Sequence, residues 1–488
     1  MLVKVPVTRS DTTRANPLAP SWLSVPADVN ALDPAVWPRR AARDDAGELT
    51  LGGVAASALV REHGTPVYVV DEAEVRDRAA LVRDTFGAAF AGIGSSAKVY
   101  YAGKAFLSVG LVGWIAEAGL HLDVCSDGEF AVAMAAGFDP ARIGYHGNNK
   151  SVREIEDAVR AGVGAIVLDS SLELQRVARA AQEAGVVQRV RVRTNSGVHA
   201  STHEYLATAH EDQKFGIALA DIADVVQAIR AEPSLEFLGL HSHIGSQIFD
   251  TGGFAEAARR LLAVHQELLE GGPVPELNLG GGFGIAYTSA DDPAPLGTIA
   301  EEMAAVVAAE CARLGIPVPV VAIEPGRTIV GPAGVTLYEI GMTKDVRVEH
   351  AETPAVRRYL SVDGGMSDNP RPELYGAEYS ARLASRTSDA EPVLVRVAGK
   401  HCESGDIVVN AEYLPADAGP GDLLAVPATG AYCWSLASNY NYLGRPPVVA
   451  VRDGASRVLI RGERIADLLA RDADLPAAPG VLRPEVDR

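Results

Sequence analysis

The chain has 488 residues, with 63 Asp and Glu against 44 Lys and Arg and a formal net charge of −19. A chain this long divides its core between two or three domains, and its surplus of negative charge repels phosphate backbones, which argues against nucleic acid as a partner. Its four cysteines, Cys125, Cys311, Cys402 and Cys433, lack CxxC or CxxH spacing. Composition therefore suggests neither a disulfide framework nor a structural zinc site, and favours a reducing cytoplasmic setting.

Residues 1–48 are rich in Pro, Asp and Arg with weak periodicity, and read as an extended N-terminal arm that packs late or not at all. The first thirty residues carry Lys4, Arg9, Asp11 and Arg14 among prolines, without the apolar core of a secretory signal. The most apolar later stretch, 303–323, is interrupted by Glu310, Arg313, Pro317 and Pro319. A spanning helix of about 20 apolar residues is excluded there, and no membrane is expected as a partner.

From Thr65-Pro66-Val67-Tyr68-Val69-Val70-Asp71 onward, short apolar runs alternate with helical patterns such as 151–162 and 170–185. That alternation predicts a parallel sheet. Eight runs end near Lys104, Asp123, His146, Asp169, Asn195, His243, Gly280 and Glu324. The first five follow one another at about 20 to 25 residues, close to the minimum for a strand, a helix and two turns. The reading is a (β/α)8 barrel over 72–330, which fits eight strands better than a Rossmann sheet. After about Val330 the runs 335–338, 358–362, 393–397, 406–409 and 448–451 are separated by Gly, Pro and Asp turns. They predict a second, mainly antiparallel β domain built from 49–71 and 331–488.

A (β/α)8 barrel carries its site where its strands end, so the residues there form one candidate site. Lys104 alone reads as a solvated surface charge. Gly280-Gly281-Gly282-Phe283-Gly284 follows an apolar run and lets backbone N–H groups approach an anionic oxygen. Glu324-Pro325-Gly326-Arg327 brings a carboxylate and a guanidinium to the same rim, where the two could also pair with each other. His241-Ser242-His243-Ile244-Gly245-Ser246 offers two imidazoles without a third metal-like ligand in register, so no metal is expected and stacking on a flat cofactor fits better. An amine, a phosphate cradle, a carboxylate for a ring nitrogen and a flat imidazole together describe a site for pyridoxal phosphate.

These residues resemble a known family. Tyr101-Ala102-Gly103-Lys104-Ala105, His241-Ser242-His243-Ile244-Gly245-Ser246-Gln247, the glycine run, Glu324-Pro325-Gly326-Arg327, the segment from Asp363-Gly364-Gly365 to Arg371-Pro372, Cys402-Glu403-Ser404-Gly405-Asp406 and Gly430-Ala431-Tyr432 occur in the order found in diaminopimelate decarboxylases. These are fold type III, alanine-racemase-like pyridoxal-phosphate enzymes, and the similarity runs from about Glu48 to near Val451. The resemblance implies decarboxylation of meso-2,6-diaminopimelate to L-lysine, the last step of lysine biosynthesis. It implies that Lys104 attaches the cofactor, His243 stacks on its ring, and Glu324 meets the pyridine nitrogen. Ser246, Gly282, Pro325, Gly326, Arg327 and Tyr432 would complete the cofactor site. On the substrate side it implies Arg327, Arg371, Tyr375, Glu403 and Tyr432, with Cys402 as proton donor. In the family Cys402, Glu403 and Tyr432 are contributed across the interface of a homodimer. Ser242 and Leu436 depart from residues frequent in relatives, Cys and Met respectively. Two other readings stand beside this one: a decarboxylase of another basic amino acid or carboxylated polyamine, and a non-catalytic pyridoxal-phosphate protein.

Overall fold

The computed structural model describes residues 16–198, 214–349 and 354–474. Eight parallel strands close a barrel in sequence order: Ala97–Ala102, His121–Val124, Ile143–Tyr145, Ala165–Leu168, Gln188–Asn195, Leu235–His241, Glu276–Asn278 and Val320–Ile323. The eighth strand pairs with the first at Ile323 and Val99, which closes the ring. A two-residue strand, Ile217–Ala218, adds to the fifth at Thr194 and Asn195. Every predicted strand end falls within two residues of an observed one, and runs such as Ala165–Leu168 are legible because a parallel strand buried on both faces reads as an uninterrupted apolar run.

The helices between strands carry their boundaries in the sequence. In Val152–Ala161, Ser151 Oγ accepts from the Glu154 N–H at 3.2 Å while Glu154 Oε2 accepts from the Ser151 N–H at 2.8 Å. This reciprocal pair satisfies two orphan donors of the first turn. Gly162 and Gly185 close Val152–Ala161 and Ser171–Ala184 in the left-handed region, which glycine enters without steric cost.

The second sheet is mixed rather than purely antiparallel. The long strand Gly334–Val348 pairs antiparallel with Ala355–Val362, Leu423–Pro427 and Val67–Asp71. Parallel pairs occur between Ala355–Val362 and Pro392–Ala398, and between Val67–Asp71 and Val448–Arg452. The strand Val67–Asp71, buried along its whole length, lies inside a sheet otherwise made by residues after 333. One apolar cluster runs from barrel residues such as Phe86 and Leu111 into this sheet at Leu360 and Val397.

The described part of the N-terminal arm overturns one expectation, since it is packed. Val36 and Trp37 are buried against Leu49, Val67, Val69 and Leu337, and Leu18, Ala19, Trp22 and Leu23 pack on Leu394, Ala411 and Tyr413. Isolated apolar residues between prolines give no periodic signal, yet each fills a separate hollow of the β domain. Residues 1–15 lie outside the described residues. Among the described residues, no helix is long and apolar enough to cross a membrane.

Candidate active site

The strand ends converge as a barrel requires. Lys104 sits in the tight turn Gly103–Ala105 that follows the first barrel strand. Its ammonium makes no hydrogen bond or ion pair among the described residues. A small inner cavity of about 50 Å³ is lined by Lys104, His243, Ser246, Gly282, Glu324, Gly326, Arg327 and Tyr432, with Ala102 and Phe283. Eight residues proposed for the cofactor thus meet in one place. Pro325 stands behind them, its carbonyl accepting from the Ala102 N–H at 3.3 Å.

Glu324 does not pair with Arg327. Its Oε1 accepts from Asn278 Nδ2 at 2.7 Å and lies 3.0 Å from His241 Nε2 and 3.5 Å from His146 Nε2. Burial pushes this carboxyl up, but His241 and His146 outweigh it and hold it well below the usual carboxylate range. Asp123, whose Oδ1 is 3.1 Å from His146 Nε2, moves the other way. Its burial and the neighbouring charge of Glu324 raise it far above the ordinary range, so one carboxylate of the pair stays neutral. Burial lowers His146 to about 4, so its imidazole is neutral at physiological pH. His146, His241 and Glu324 also correct the expectation that no third metal-type ligand reaches the histidine motif, as their ligand atoms lie within 4.8 Å of one another.

His243 is neutral as well, lowered to about 3 first by burial and then by the Lys104 charge. Its Nδ1 accepts from the Gly281 N–H at 3.4 Å, which leaves the ring proton on Nε2 and fixes the ring beside the glycine run. The glycines are required by close approach. A Cβ on Gly282, whose φ is +106°, would lie 2.3 Å from the Gly245 carbonyl, and one on Gly326 would lie 2.9 Å from the Ala102 carbonyl. The N–H groups of Gly282, Gly326 and Arg327 donate to no acceptor among the described residues. Unpaired donors beside a guanidinium suit an anionic group.

A larger cavity of about 760 Å³ shares Lys104, Ser246, Arg327 and Tyr432 with the inner one and adds Arg371, Tyr375 and Leu436. Arg327 is 8% exposed and Arg371 is 6% exposed, and neither has a carboxylate partner among the described residues. Arg327 donates to Ser246 Oγ at 2.8 Å and to the Tyr287 hydroxyl. Arg371 donates to the Tyr379 hydroxyl and lies 4.6 Å from the Tyr287 ring centroid. A buried cation is normally paired with an anion, so two that meet only neutral hydroxyl groups mark a place for an incoming anion.

Other expected site residues are arranged differently. Tyr432 was expected from across an interface, but it lines the same chain's cavities. Its N–H donates to the Ala105 carbonyl at 2.8 Å, so the Lys104 turn itself holds it, and Arg327 lies 4.7 Å from its ring centroid. Cys402 and Glu403 are exposed and line neither cavity; Glu403 accepts from the Tyr440 hydroxyl. Sequence reasoning missed Asn278, Tyr287, Tyr379 and Trp22 as parts of the site. Asp123 and His146 appeared only as strand ends, although that position in a barrel was itself the signal.

The pyridoxal-binding domain of the pyridoxal-dependent decarboxylases matches residues 72–331. Diaminopimelate decarboxylase of Mycobacterium tuberculosis is 51% identical over 447 residues, covering 90% of this chain and 98% of that protein. The chain belongs to the diaminopimelate decarboxylase family. The enzyme of that name from Corynebacterium efficiens is 47% identical, covering 90% of this chain and 95% of its own length. Among solved structures, the diaminopimelate decarboxylase of M. jannaschii in complex with L-lysine superposes with a TM-score of 0.79 at 28% identity, covering 89% of this chain and 98% of that one. Members of this family are pyridoxal-phosphate enzymes, and the inner cavity's free amine, ionised carboxylate, neutral imidazole and unpaired backbone donors fit that cofactor.

Proposed function

We propose that the chain decarboxylates meso-2,6-diaminopimelate to L-lysine and carbon dioxide with pyridoxal 5'-phosphate, closing lysine biosynthesis. The observation that carries this reading is the pair of buried guanidiniums, Arg327 and Arg371, that reach one cavity with Lys104 and lack carboxylate partners among the described residues. A guanidinium can bond a carboxylate in two places, and diaminopimelate has one more carboxylate than the simple diamino acids.

Lys104 would be the amine that attaches the cofactor, and His243 would lie against its ring. Ser246, the Gly282 turn and the Pro325-Gly326-Arg327 turn would hold its phosphate, beside Tyr432 in the same cavity. Glu324, kept ionised by its imidazole neighbours, would meet the pyridine nitrogen. When bound, pyridoxal phosphate supplies the electron-withdrawing ring that accepts the electron pair of the breaking C–C bond. The residues' own task is geometric: Arg327, Arg371 and Tyr375, which line one cavity with Lys104, would hold the distal carboxylate and so orient the D-configured end of the substrate toward Lys104.

The proton that replaces carbon dioxide comes from Cys402. Because Cys402 and Glu403 are exposed away from this chain's cavity, we place them in the cavity of a second copy in a homodimer, with Glu403 meeting the distal ammonium. Exposed thiols at Cys125 and Cys402 suit a reducing cytoplasm.

The test gives purified protein and pyridoxal phosphate meso-diaminopimelate, ornithine or arginine in separate reactions, and measures carbon dioxide and the amine product. Lysine formed from diaminopimelate alone is expected. Comparable turnover of ornithine or arginine would overturn the substrate assignment.

A further inference from the structure

The N-terminal arm reaches the substrate cavity. Trp22 lines the larger cavity together with Lys104, Arg327, Arg371 and Tyr375, although it precedes the barrel by some fifty residues of arm and β domain. It is seated there by more than one contact. Leu18, Ala19 and Leu23 pack with it on Leu394, Ala411 and Tyr413, and Asn16 donates to the Tyr413 hydroxyl at 3.3 Å and to the Val356 carbonyl at 3.0 Å. Further along, Asn30 and Ser388 exchange two hydrogen bonds of 2.9 Å, and Arg382 donates to the Ala31 carbonyl at 3.0 Å. The arm is therefore fixed at both sides of Trp22.

The cavity's walls differ in chemistry. Arg327 and Arg371 provide positive charge for carboxylates. Trp22 and the half-buried Glu378 provide the opposite: an indole with a negative ring face and a carboxylate whose Oε1 accepts from Asn410 Nδ2 at 3.3 Å while its buried Oε2 has no hydrogen-bond partner among the described residues. An aromatic face attracts an ammonium and also covers a methylene chain, which a bulky residue can do while excluding water.

We propose that Trp22 is a specificity-determining residue, packing on the methylene chain of a diamino dicarboxylic acid and favouring its ammonium-bearing far end with help from Glu378. This rests on the diaminopimelate reading above and makes the arm part of the active site. Trp22 touches substrate and has no part in bond breaking, so its loss weakens binding more than turnover.

The test uses the holoenzyme of full length. In Trp22→Ala, the KM for diaminopimelate should rise about tenfold while kcat stays within about twofold, and Trp22→Phe should recover most of the loss because a ring is kept. L-lysine should change the tryptophan fluorescence of the wild type and leave that of Trp22→Phe unchanged, a conservative variant that serves even where Trp22→Ala does not fold. An unchanged KM in Trp22→Ala, or the same lysine-induced fluorescence change in Trp22→Phe, overturns the assignment while leaving the parent reading intact. A wild type inactive on diaminopimelate overturns both.

Discussion

Glu324 and Arg327 stand three residues apart at the end of the eighth barrel strand and engage separate partners. Glu324 takes the histidines and Asn278, whereas Arg327 takes Ser246 and Tyr287. The intervening Gly326 packs closely on the first barrel strand and the turn after it, where a Cβ would lie 2.9 Å from the Ala102 carbonyl and 3.0 Å from Ala105 Cβ. Arg327 borders both cavities and Arg371 only the larger one. Arg371→Ala should therefore raise the KM for diaminopimelate about tenfold or more and leave cofactor affinity unchanged, while Arg327→Ala should weaken both. Absorbance titration of the apoprotein with pyridoxal phosphate, beside steady-state kinetics, separates the two. Equal loss of cofactor affinity in both variants would contradict this division.

Glu324→Gln keeps the shape of the side chain and removes its charge. The neutral amide would leave His241 and His146 facing no ionised acceptor and, on the role proposed for Glu324, the cofactor's ring nitrogen without a carboxylate. A fall in kcat of about 100-fold or more is expected, by analogy with other lost electrostatic partners in buried sites. Cofactor content, read from absorbance, should remain near that of the wild type because the residues proposed to hold the phosphate are untouched. Full activity in this variant would remove Glu324 from the chemistry.

Why the barrel was legible and parts of the site were not has a physical cause. Strands such as Ala165–Leu168 and Val320–Ile323 are buried on both faces, so they appear as apolar runs whatever their neighbours are. The strands Leu423–Pro427 and Ala455–Ile460 escaped notice. The first is short and ends on proline, and the second, on the sheet edge, mixes exposed polar and apolar residues without a buried face. Lys104 and Glu324 were legible because each ends a strand of the barrel. Tyr287 and Tyr379 were not, because they act by holding Arg327 and Arg371 from loops, and nothing in local spacing announces such a contact. Trp22 is the extreme case: its neighbours in space, Leu394 and Tyr413, are hundreds of residues away.

The glycine run makes a stability prediction. Gly282 has φ +106°, and a methyl group there would meet the Gly245 carbonyl and Ile248 Cδ1. Gly282→Ala should destabilise the fold by about 1–3 kcal/mol through backbone strain, and it should lose cofactor affinity because the N–H it presents is displaced. Gly297, with open space around its Cβ position in the helix Leu296–Leu314, is the control. Gly297→Ala should be neutral or stabilising by under about 1 kcal/mol. Thermal melts with and without pyridoxal phosphate check both, and equal shifts in the two variants would refute the crowding argument.

Acid should destabilise the protein through its buried histidines, and His265 isolates the effect. It lies in the helix Gly252–Leu269, is 1% exposed, and has an Nδ1 without a hydrogen-bond partner among the described residues. Burial lowers it to about 4, whereas an unfolded histidine titrates near 6.5. The folded state then binds fewer protons than the unfolded one between those values. The stability this residue allows is full above about pH 6.5 and is lost as pH falls toward 4, by on the order of 3 kcal/mol. His265→Leu removes both the proton site and the unpaired nitrogen, so denaturant titrations should show a shallower loss between pH 6.5 and 4 than in the wild type. At pH 8 its stability should be equal or higher, and its turnover unchanged, because His265 lines neither cavity. Parallel pH profiles for the two proteins would mean that His265 is not held neutral in the folded state, and that the acid loss arises from the histidines of the site.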